Sequence, residues 1–475
     1  VEWLELHRNQ KTYVVSRLDK DTSGVLLLAR SRAASGEAER IHKEGLASKS
    51  YLFVTDRQPP PVGSAWVVDT ALDNKSAMTH FRIIESWQNG LHLCEANLSA
   101  GRLHQVRRHA AQSGLPVLGD PLYGGTKFAR VCLHARSITW PGVDGPIAAP
   151  LPASFAALQS SNSGALESQR LLTSVAMDRR QGTLRDITNT MRLLHRGEGG
   201  ADCSVDRFGS SWCVWDYDEE NATDTSEILA TLGYLPTDPI VNKRLIRNPH
   251  RNGSLARTTI VGEPGSLDKV TLEHELSYNI DLGGQDQTGF FIDQRDNRRR
   301  VMNTASGKDI ANLFCYTCSF SVAAAAGGCS NITSVDNSHA ALGQGIANFR
   351  TNNLERPGHT KFIKEDVRVW LKKQHKRGQR YDLIICDPPT FASGSGSGSQ
   401  PFRISDKWLT LAQDISQLLQ TGGEALFCTN SRTLPTEHLE QPLLELFSKV
   451  TRHRTPFDFP EAVDPHHNRF FWCSK

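Results

Sequence analysis

From Asp309 onward the chain alternates short apolar runs with longer amphipathic ones, and this alternation limits the possible folds more than any other feature. Strands are expected at Ile310–Phe314, Ile332–Val335, Phe362–Ile363, Leu383–Cys386 and Glu424–Cys428. Helical segments lie between or after them, at Phe320–Ala326, Ser338–Phe349, Asp366–Gln374 and Ser405–Leu419. Strands that are apolar throughout are covered on both faces, and a helix after each strand returns the chain for a parallel neighbour. The pattern predicts an α/β, open, doubly wound parallel sheet whose ligand sits at the carboxyl ends of the strands.

The preceding residues are organised differently. Strands at Gly24–Ala29, Tyr51–Thr55, Phe81–Glu85 and Leu91–Leu98, with helices at Ser31–Glu44 and His104–Ser113, predict a mostly antiparallel α+β domain over 1–158. The Ser, Asn and Gly residues near 159–170 read as a linker. A small α+β domain is expected over 171–282, with strands at Trp212–Trp215, Thr258–Val261 and Val270–Ile280 and a helix near Thr225–Leu232. The last domain is then 283–475. A chain of 475 residues needs several cores, so a multidomain protein is expected.

No apolar run is long enough to cross a bilayer, and nothing near Val1 reads as a secretory signal, so a cytoplasmic location is expected. The first residue is Val rather than Met, and an upstream piece is expected to be missing. The net charge of +3 says little as a total. Arg102, His104, Arg107, Arg108 and His109 fall together, which suits a phosphate backbone or simply a solvated basic face. Of the ten cysteines, Cys315 and Cys318 form a C-x-x-C pair with no companion pair, so a turn is expected there and no metal.

Two constellations carry chemistry. The first is Ser16-Arg17-Leu18-Asp19-Lys20-Asp21-Thr22-Ser23-Gly24, a carboxylate on a turn beside a cation, small hydroxyls and a glycine. A turn can hold an Asp for structure alone, through nearby backbone N–H groups. The stretch resembles the motif H-R-L-D-x-x-T-S-G of RluA-type pseudouridine synthases. Further blocks follow in that family's order: Lys49-Ser50-Tyr51, Gly101 to Arg107, Pro116 to Gly124, and Cys132-Leu133-His134-Ala135. The resemblance spans residues 11–158 and implies isomerisation of uridine in RNA without a cofactor. It implies Asp19 as the nucleophilic carboxylate, Arg107 as its ion-pair partner and Tyr51 packed on the uracil. Arg17, Arg102, His104 and Arg108 would meet RNA. Ser16 stands where the family has His, and only a short stub precedes Asp19. An N-terminally truncated domain with a loosened site is therefore expected.

The second constellation opens at Gln287-Thr288-Gly289-Phe290-Phe291-Ile292-Asp293-Gln294-Arg295-Asp296-Asn297-Arg298. Taken alone it is a helix start with solvated arginines. It resembles the block T-G-F-x-x-D-x-R-x-x-R of RlmI- and RlmK-type ribosomal RNA methyltransferases. Asn312 to Ser321 resembles their first cofactor loop, N-x-F-x-Y-T-G-x-F. Arg192 to His195 and Val205 to Gly209 resemble the small domain ahead of it. The likeness spans residues 171–475 and implies a Rossmann-like class I enzyme. It implies that S-adenosyl-L-methionine is held by Arg295, Asn312, Phe314, Tyr316, Cys318, Asp336, Asp366 and Asp387.

Asp336 ends the second strand, where a carboxylate accepts from ribose hydroxyls, and Asp366 follows the third, near the adenine. Asp387-Pro388-Pro389-Thr390-Phe391 ends the fourth, facing cofactor and target base, with prolines stiffening the loop. Asp387 is thus a catalytic candidate too. One Asp after a strand is as often an ordinary helix cap; three after the appropriate strands form a pattern. Cys318 replaces the usual loop glycine, and weakened cofactor binding is expected. The Gly394–Ser399 run is either a lid or a linker-like insertion.

Methylation at cytosine C5 needs a cysteine nucleophile. Cys428-Thr429-Asn430-Ser431 stands where RlmI-like sequences carry S-S-C-S, but Cys428 falls within the strand and reads as a buried thiol. The Asp387–Phe391 block and His467-Asn468-x-x-x-Trp472 are closer to RlmK, which methylates guanine N7. That nitrogen is already nucleophilic, so positioning suffices. The expectation is a two-headed enzyme acting on large-subunit ribosomal RNA, with no membrane or metal partner. The alternatives are a methyltransferase whose first domain only docks RNA, and a non-catalytic RNA-binding ribosome-assembly factor.

Overall fold

The computed structural model describes residues 2–99, 101–161, 166–180, 184, 186–218, 220–247, 254–261, 264–284, 287–392, 402–432, 434–461, 464 and 468–475, with backbone alone at 245–247, 254–256, 264 and 392. The Gly394–Ser399 run and His467 lie outside them. Compactness groups the chain into one unit of Val1–Gln181, Glu198–Ala201 and Asp224–Tyr234, and a second of Gly182–Gly197, Asp202–Thr223 and Leu235–Lys475. This differs from the boundaries read from composition. The helix Gln169–Asp178 buries Leu171, Val175 and Ala176 within the first unit rather than opening the small domain. No helix among the described residues is long and apolar enough to cross a membrane.

The first unit is built on a mixed sheet. Its strands run in the order Ser23–Gly24, Leu133–Thr139, Ser48–Thr55, His92–Leu98, Met78–Ser86 and Ala65–Asp69. Alternation drives burial: Thr79, Phe81 and Ile83 of Met78–Ser86 point inward while their neighbours face out. Phe53, Phe81, Cys94, Val117 and Phe155 fill the core. The expected single strand Gly24–Ala29 divides instead. Ser23–Gly24 pairs in parallel with Leu133–Thr139, whereas Leu28–Ala29 pairs with Tyr13–Val14.

In the second unit, a five-stranded sheet of Thr190–Leu194, Cys203–Phe208, Ser211–Asp216, Ile240–Arg247 and Ser254–Val261 precedes a hairpin. That hairpin, Val270–Glu273 with Leu276–Asn279, replaces the single strand expected there. His274 and Glu275, at φ 49° and 67°, make its turn. The seven-stranded sheet follows, ordered Thr360–Lys364, Asn331–Asp336, Asp309–Leu313, Tyr381–Cys386, Leu419–Thr429, Arg469–Ser474 and Lys449–His453. Its first five strands are parallel, and Arg469–Ser474 is antiparallel to both neighbours. Successive residues serve opposite faces: Ile310, Leu383 and Leu426 enter one core, Ala311, Ile384 and Phe427 the other. The strand order reverses between Asp309–Leu313 and Tyr381–Cys386, which opens a crevice at their carboxyl ends.

The helix Arg295–Thr304 is held under this sheet by buried charge. Arg298 grips both oxygens of Glu273 at 2.7 Å. Arg295 grips Asp458 at 2.9 and 3.1 Å and the Thr190 carbonyl at 3.2 Å. Asp458 also accepts the Arg192 N–H at 3.1 Å. Removing one partner of such a pair leaves a desolvated charge behind. Asp458→Ala is therefore expected to lower unfolding free energy by about 3–5 kcal/mol. A urea-unfolding midpoint equal to the parent's would refute the clamp.

Candidate functional site

In the first unit, Thr22 N–H donates to the Asp19 carbonyl at 3.0 Å, closing the motif turn. The turn is pinned by residues more than a hundred positions later in the chain. Arg130 donates to the Ser23 hydroxyl at 2.9 Å and the Asp21 carbonyl at 3.2 Å. Ser23 Oγ lies 2.9 Å from His134 Nδ1, and burial pulls His134 down to about 4, so a neutral ring makes that bond. Gly24 has φ +116°, and a Cβ there would run into the Ala135 backbone. The glycine of the motif is thus a requirement of close approach.

Asp19 faces a cavity of about 1080 Å³ together with Arg17, Tyr51, Arg102 and His104. Arg107 reaches Asp19 with one nitrogen at 3.4 Å. Its main partner, contrary to the sequence expectation, is the fully buried Asp120, gripped at 2.6 and 2.7 Å. Asp120 fixes the guanidinium, and one N–H remains for Asp19. His104 Nε2 stands 3.8 Å from Asp19, while its Nδ1 meets the Tyr123 hydroxyl at 2.9 Å. The basic run divides: Arg102 and His104 line the cavity, Arg108 turns to Asp73 at 3.0 Å, and His109 is buried against Thr79. Burial, then the charge of Asp19, push the Tyr51 hydroxyl up to about 12, so it stays protonated.

In the second unit a cavity of about 600 Å³ spans the strand ends. The loop after Asp309–Leu313 holds Phe314, Tyr316 and Cys318 at φ 55°, 48° and 62°. Left-handed backbone at three side-chain-bearing residues is costly and marks a functional turn. The fold-back carries Tyr316 N–H to one oxygen of Asp336 at 2.9 Å, and Ser338 N–H meets the other at 2.8 Å. Each oxygen retains a lone pair for a hydroxyl donor. Asp366 caps the helix Val367–Lys376, accepting Arg368 N–H at 2.8 Å, and the Arg368 guanidinium at 2.6 Å holds it below the usual carboxylate range. Asp387 accepts the Gln294 amide at 3.0 Å; burial, then the charge of Asp293, push it up to about 7. Burial also raises Asp293, whose carboxylate accepts the Asn468 amide.

The donor set fits S-adenosylmethionine. Asp336 offers a carboxylate for a diol, and Phe314, Phe402 and Val367 give apolar walls for a flat base. Asn312, Phe314, Tyr316, Asp336, Asp366 and Asp387 meet at this cavity. Two residues assigned to the cofactor do not. Arg295 is consumed by Asp458, and Cys318 is fully buried, its sulfur 3.6 Å from that of Cys315 and turned toward Gly345. The steric argument for weakened binding at Cys318 therefore loses its premise, because the side chain packs against Gly345 and does not line the cavity. Sequence reasoning missed Asp293, Gln294, Arg368, Asn430 and Asn468, all lining the cavity. Four of them, Asp293, Gln294, Asn430 and Asn468, belong to motif blocks legible in the sequence, and only Arg368 lies outside them.

Residues 219–468 match the family model described as S-adenosylmethionine-dependent methyltransferase, and residues 2–112 that described as RNA pseudouridylate synthase. The ribosomal RNA large subunit methyltransferase I of Klebsiella pneumoniae is 30% identical over 296 residues, 59% of this chain and 73% of the relative. The K/L enzyme of Psychromonas ingrahamii is 34% identical over 239 residues, covering 48% of this chain and 30% of the relative. Among solved structures, one described as an S-adenosylmethionine-dependent methyltransferase from Streptococcus mutans superposes with TM-score 0.53 at 23% identity, over 70% of this chain and 84% of that one. Another, described as a methyltransferase complexed with SAH, gives TM-score 0.54 at 22% identity, over 78% and 98%. With its match over more than half its length, the chain belongs to the S-adenosylmethionine-dependent methyltransferase family and carries an RNA pseudouridylate synthase domain ahead of that part.

Proposed function

We propose that the chain modifies large-subunit ribosomal RNA twice, isomerising a uridine with its first part and methylating guanine N7 with its second. The ribosomal target rests on the names of the methyltransferase relatives. The observation that carries the choice of atom is Cys428. Its thiol is fully buried, bonded toward Gln294, and pushed well above its ordinary value by burial. Addition to a cytosine ring needs an accessible thiolate, and all ten cysteines are buried. A nitrogen nucleophile needs none. We assign 1–158, 171–282 and 283–475 to synthase, accessory and methyltransferase domains, the accessory stretch opening within the helix Gln169–Asp178 that packs within the first unit, and place the enzyme in the cytoplasm.

For methyl transfer, the bound sulfonium cofactor supplies an electrophilic methyl group. Asp336 would hold its ribose, Asn312, Phe314, Tyr316 and Asp366 would surround it, and Asp387 with the proline-stiffened loop would position the base. For isomerisation we assign no cofactor. Asp19 would attack as a carboxylate, kept aimed by Arg107, which Asp120 immobilises. Tyr51, protonated, would act as a packing surface and hydrogen donor rather than a base. Arg17 and Arg102 would meet phosphate.

Asp336→Ala is expected to weaken S-adenosylmethionine binding about 100-fold or more, the loss of two hydrogen bonds to a charged group. Calorimetry showing parental affinity would remove that role. Asp19→Asn is expected to abolish pseudouridine formation and leave RNA affinity nearly unchanged, since shape is kept and the attacking charge is lost. Mass spectrometry that still found pseudouridine would exclude Asp19 as nucleophile.

Asp387 gives a pH prediction. Its carboxyl is raised from 3.8 to about 7 in the folded chain, so between those values the native state holds a proton the unfolded state has released. Stability therefore falls as pH rises through this window. Asp387→Asn lacks the effect, so its advantage over the parent should grow from pH 4.5 to about 7.5. Parallel stability profiles across that range would contradict the burial of this carboxyl.

A further inference from the structure

The cavity of the second unit has two ends, and the strand order separates them. Asp336 follows the strand next to the edge, Asp387 the fourth in chain order, and Asn430 the fifth. Asn468 immediately precedes Arg469–Ser474, which is antiparallel to its neighbours, so its amino end lies at the same edge of the sheet. Along that edge the sequence is therefore Asp336, Asp387, Asn430, Asn468. Asp336, the acceptor assigned to ribose, sits at one end, which leaves the far end open to a second ligand.

What lines the far end is chemically specific. Asp293 leaves the short 3-10 turn Ile292–Gln294 and lines the cavity there, its carboxylate oriented by the Asn468 amide. The neighbouring Gln294 donates to Asp387 at 3.0 Å and accepts from Asn297 at 2.8 Å, so both ends of its amide are committed. The turn is followed at once by Arg295, locked on Asp458. Asp293 is thus a carboxylate held rigidly by neighbours on both sides.

We propose that Asp293 selects the target base, its carboxylate accepting the paired N1–H and N2–H of guanine. The inference rests on the guanine reading above and names the residue that enforces it. Guanine alone among the four bases presents two adjacent donors on its Watson–Crick edge. Adenine and cytosine offer an amino group beside an acceptor, and uracil one N–H between two carbonyls. A single carboxylate engages guanine with two parallel hydrogen bonds and leaves N7, on the opposite edge, open to methylation.

The test uses the full chain and large-subunit ribosomal RNA from cells lacking the gene. Nucleoside mass spectrometry of the wild-type product comes first: a methylated pyrimidine would overturn the guanine reading itself, and this inference with it. Given methylguanosine, a synthetic RNA fragment carrying either guanosine or inosine at that one position is compared. Inosine lacks the N2 amino group, so the wild type should lose about 10- to 100-fold in kcat/KM on inosine RNA. Asp293→Asn should lose a similar factor on guanosine RNA and no longer distinguish the two substrates. S-adenosylmethionine affinity should stay within about twofold, since Asp293 lies at the other end of the cavity. If Asp293→Asn fails to bind the cofactor, Asn468→Ala keeps the carboxylate but removes its amide partner, and should narrow the guanosine-to-inosine ratio. A variant that methylates guanosine RNA at the parental rate, or keeps the parental ratio, would overturn the assignment.

Discussion

Two buried arginines one turn apart organise the methyltransferase half. Arg295 and Arg298 start the helix Arg295–Thr304 and each takes a carboxylate from a distant segment, Asp458 and Glu273. Neither charge can exist unpaired in such an environment, so the carboxylates are obliged to be where they are. Through them the hairpin, the end of Thr190–Leu194 and the segment before the last strand are drawn to one point. The residues just ahead of the helix, Asp293 and Gln294, inherit that rigidity at the cavity. An arginine that never touches a ligand thereby sets where ligand-facing groups stand.

The two halves of the chain share a way of building a reactive loop. In each, a short turn after or between strands carries the decisive group, and its conformation is imposed from elsewhere. Arg130 and His134 hold the turn of Asp19, and Asp336 holds the loop of Tyr316. Backbone that would be unfavourable alone becomes the lowest-energy option once its donors are claimed. Precision follows because movement would break several bonds at once.

Much of this was legible in the sequence, for physical reasons. The parallel sheet announced itself because its strands are apolar on both faces and separated by helices, and strand-end carboxylates could be located by counting. The two closing strands were not seen. Lys449–His453 carries charges at two of its five positions, Lys449 and Arg452, and Arg469–Ser474 is an aromatic run without alternation. Partner identity was the larger gap. Motif spacing pointed Arg107 at Asp19 and Arg295 at the cofactor, whereas the carboxylates that hold them lie 13 and 163 residues away. A cation's local neighbours say what it could do; only the fold says which carboxylate has already claimed it. The loop of Phe314, Tyr316 and Cys318 differs for a related reason, since a side chain at a glycine position need not face the cavity, and Cys318 packs against Gly345 instead.

That loop leaves a mark on how the sequence can have changed over time. Cys318 tucks its sulfur into the space beside the helix His339–Thr351 that Gly345 leaves open, and a Cβ at Gly345 would overlap it. The two positions are therefore not independent. A Cβ at 345 would press on the Cys318 sulfur, so what one position tolerates depends on which residue fills the other. Substitutions at 318 and 345 should therefore be non-additive, the two residues sharing one niche between loop and helix.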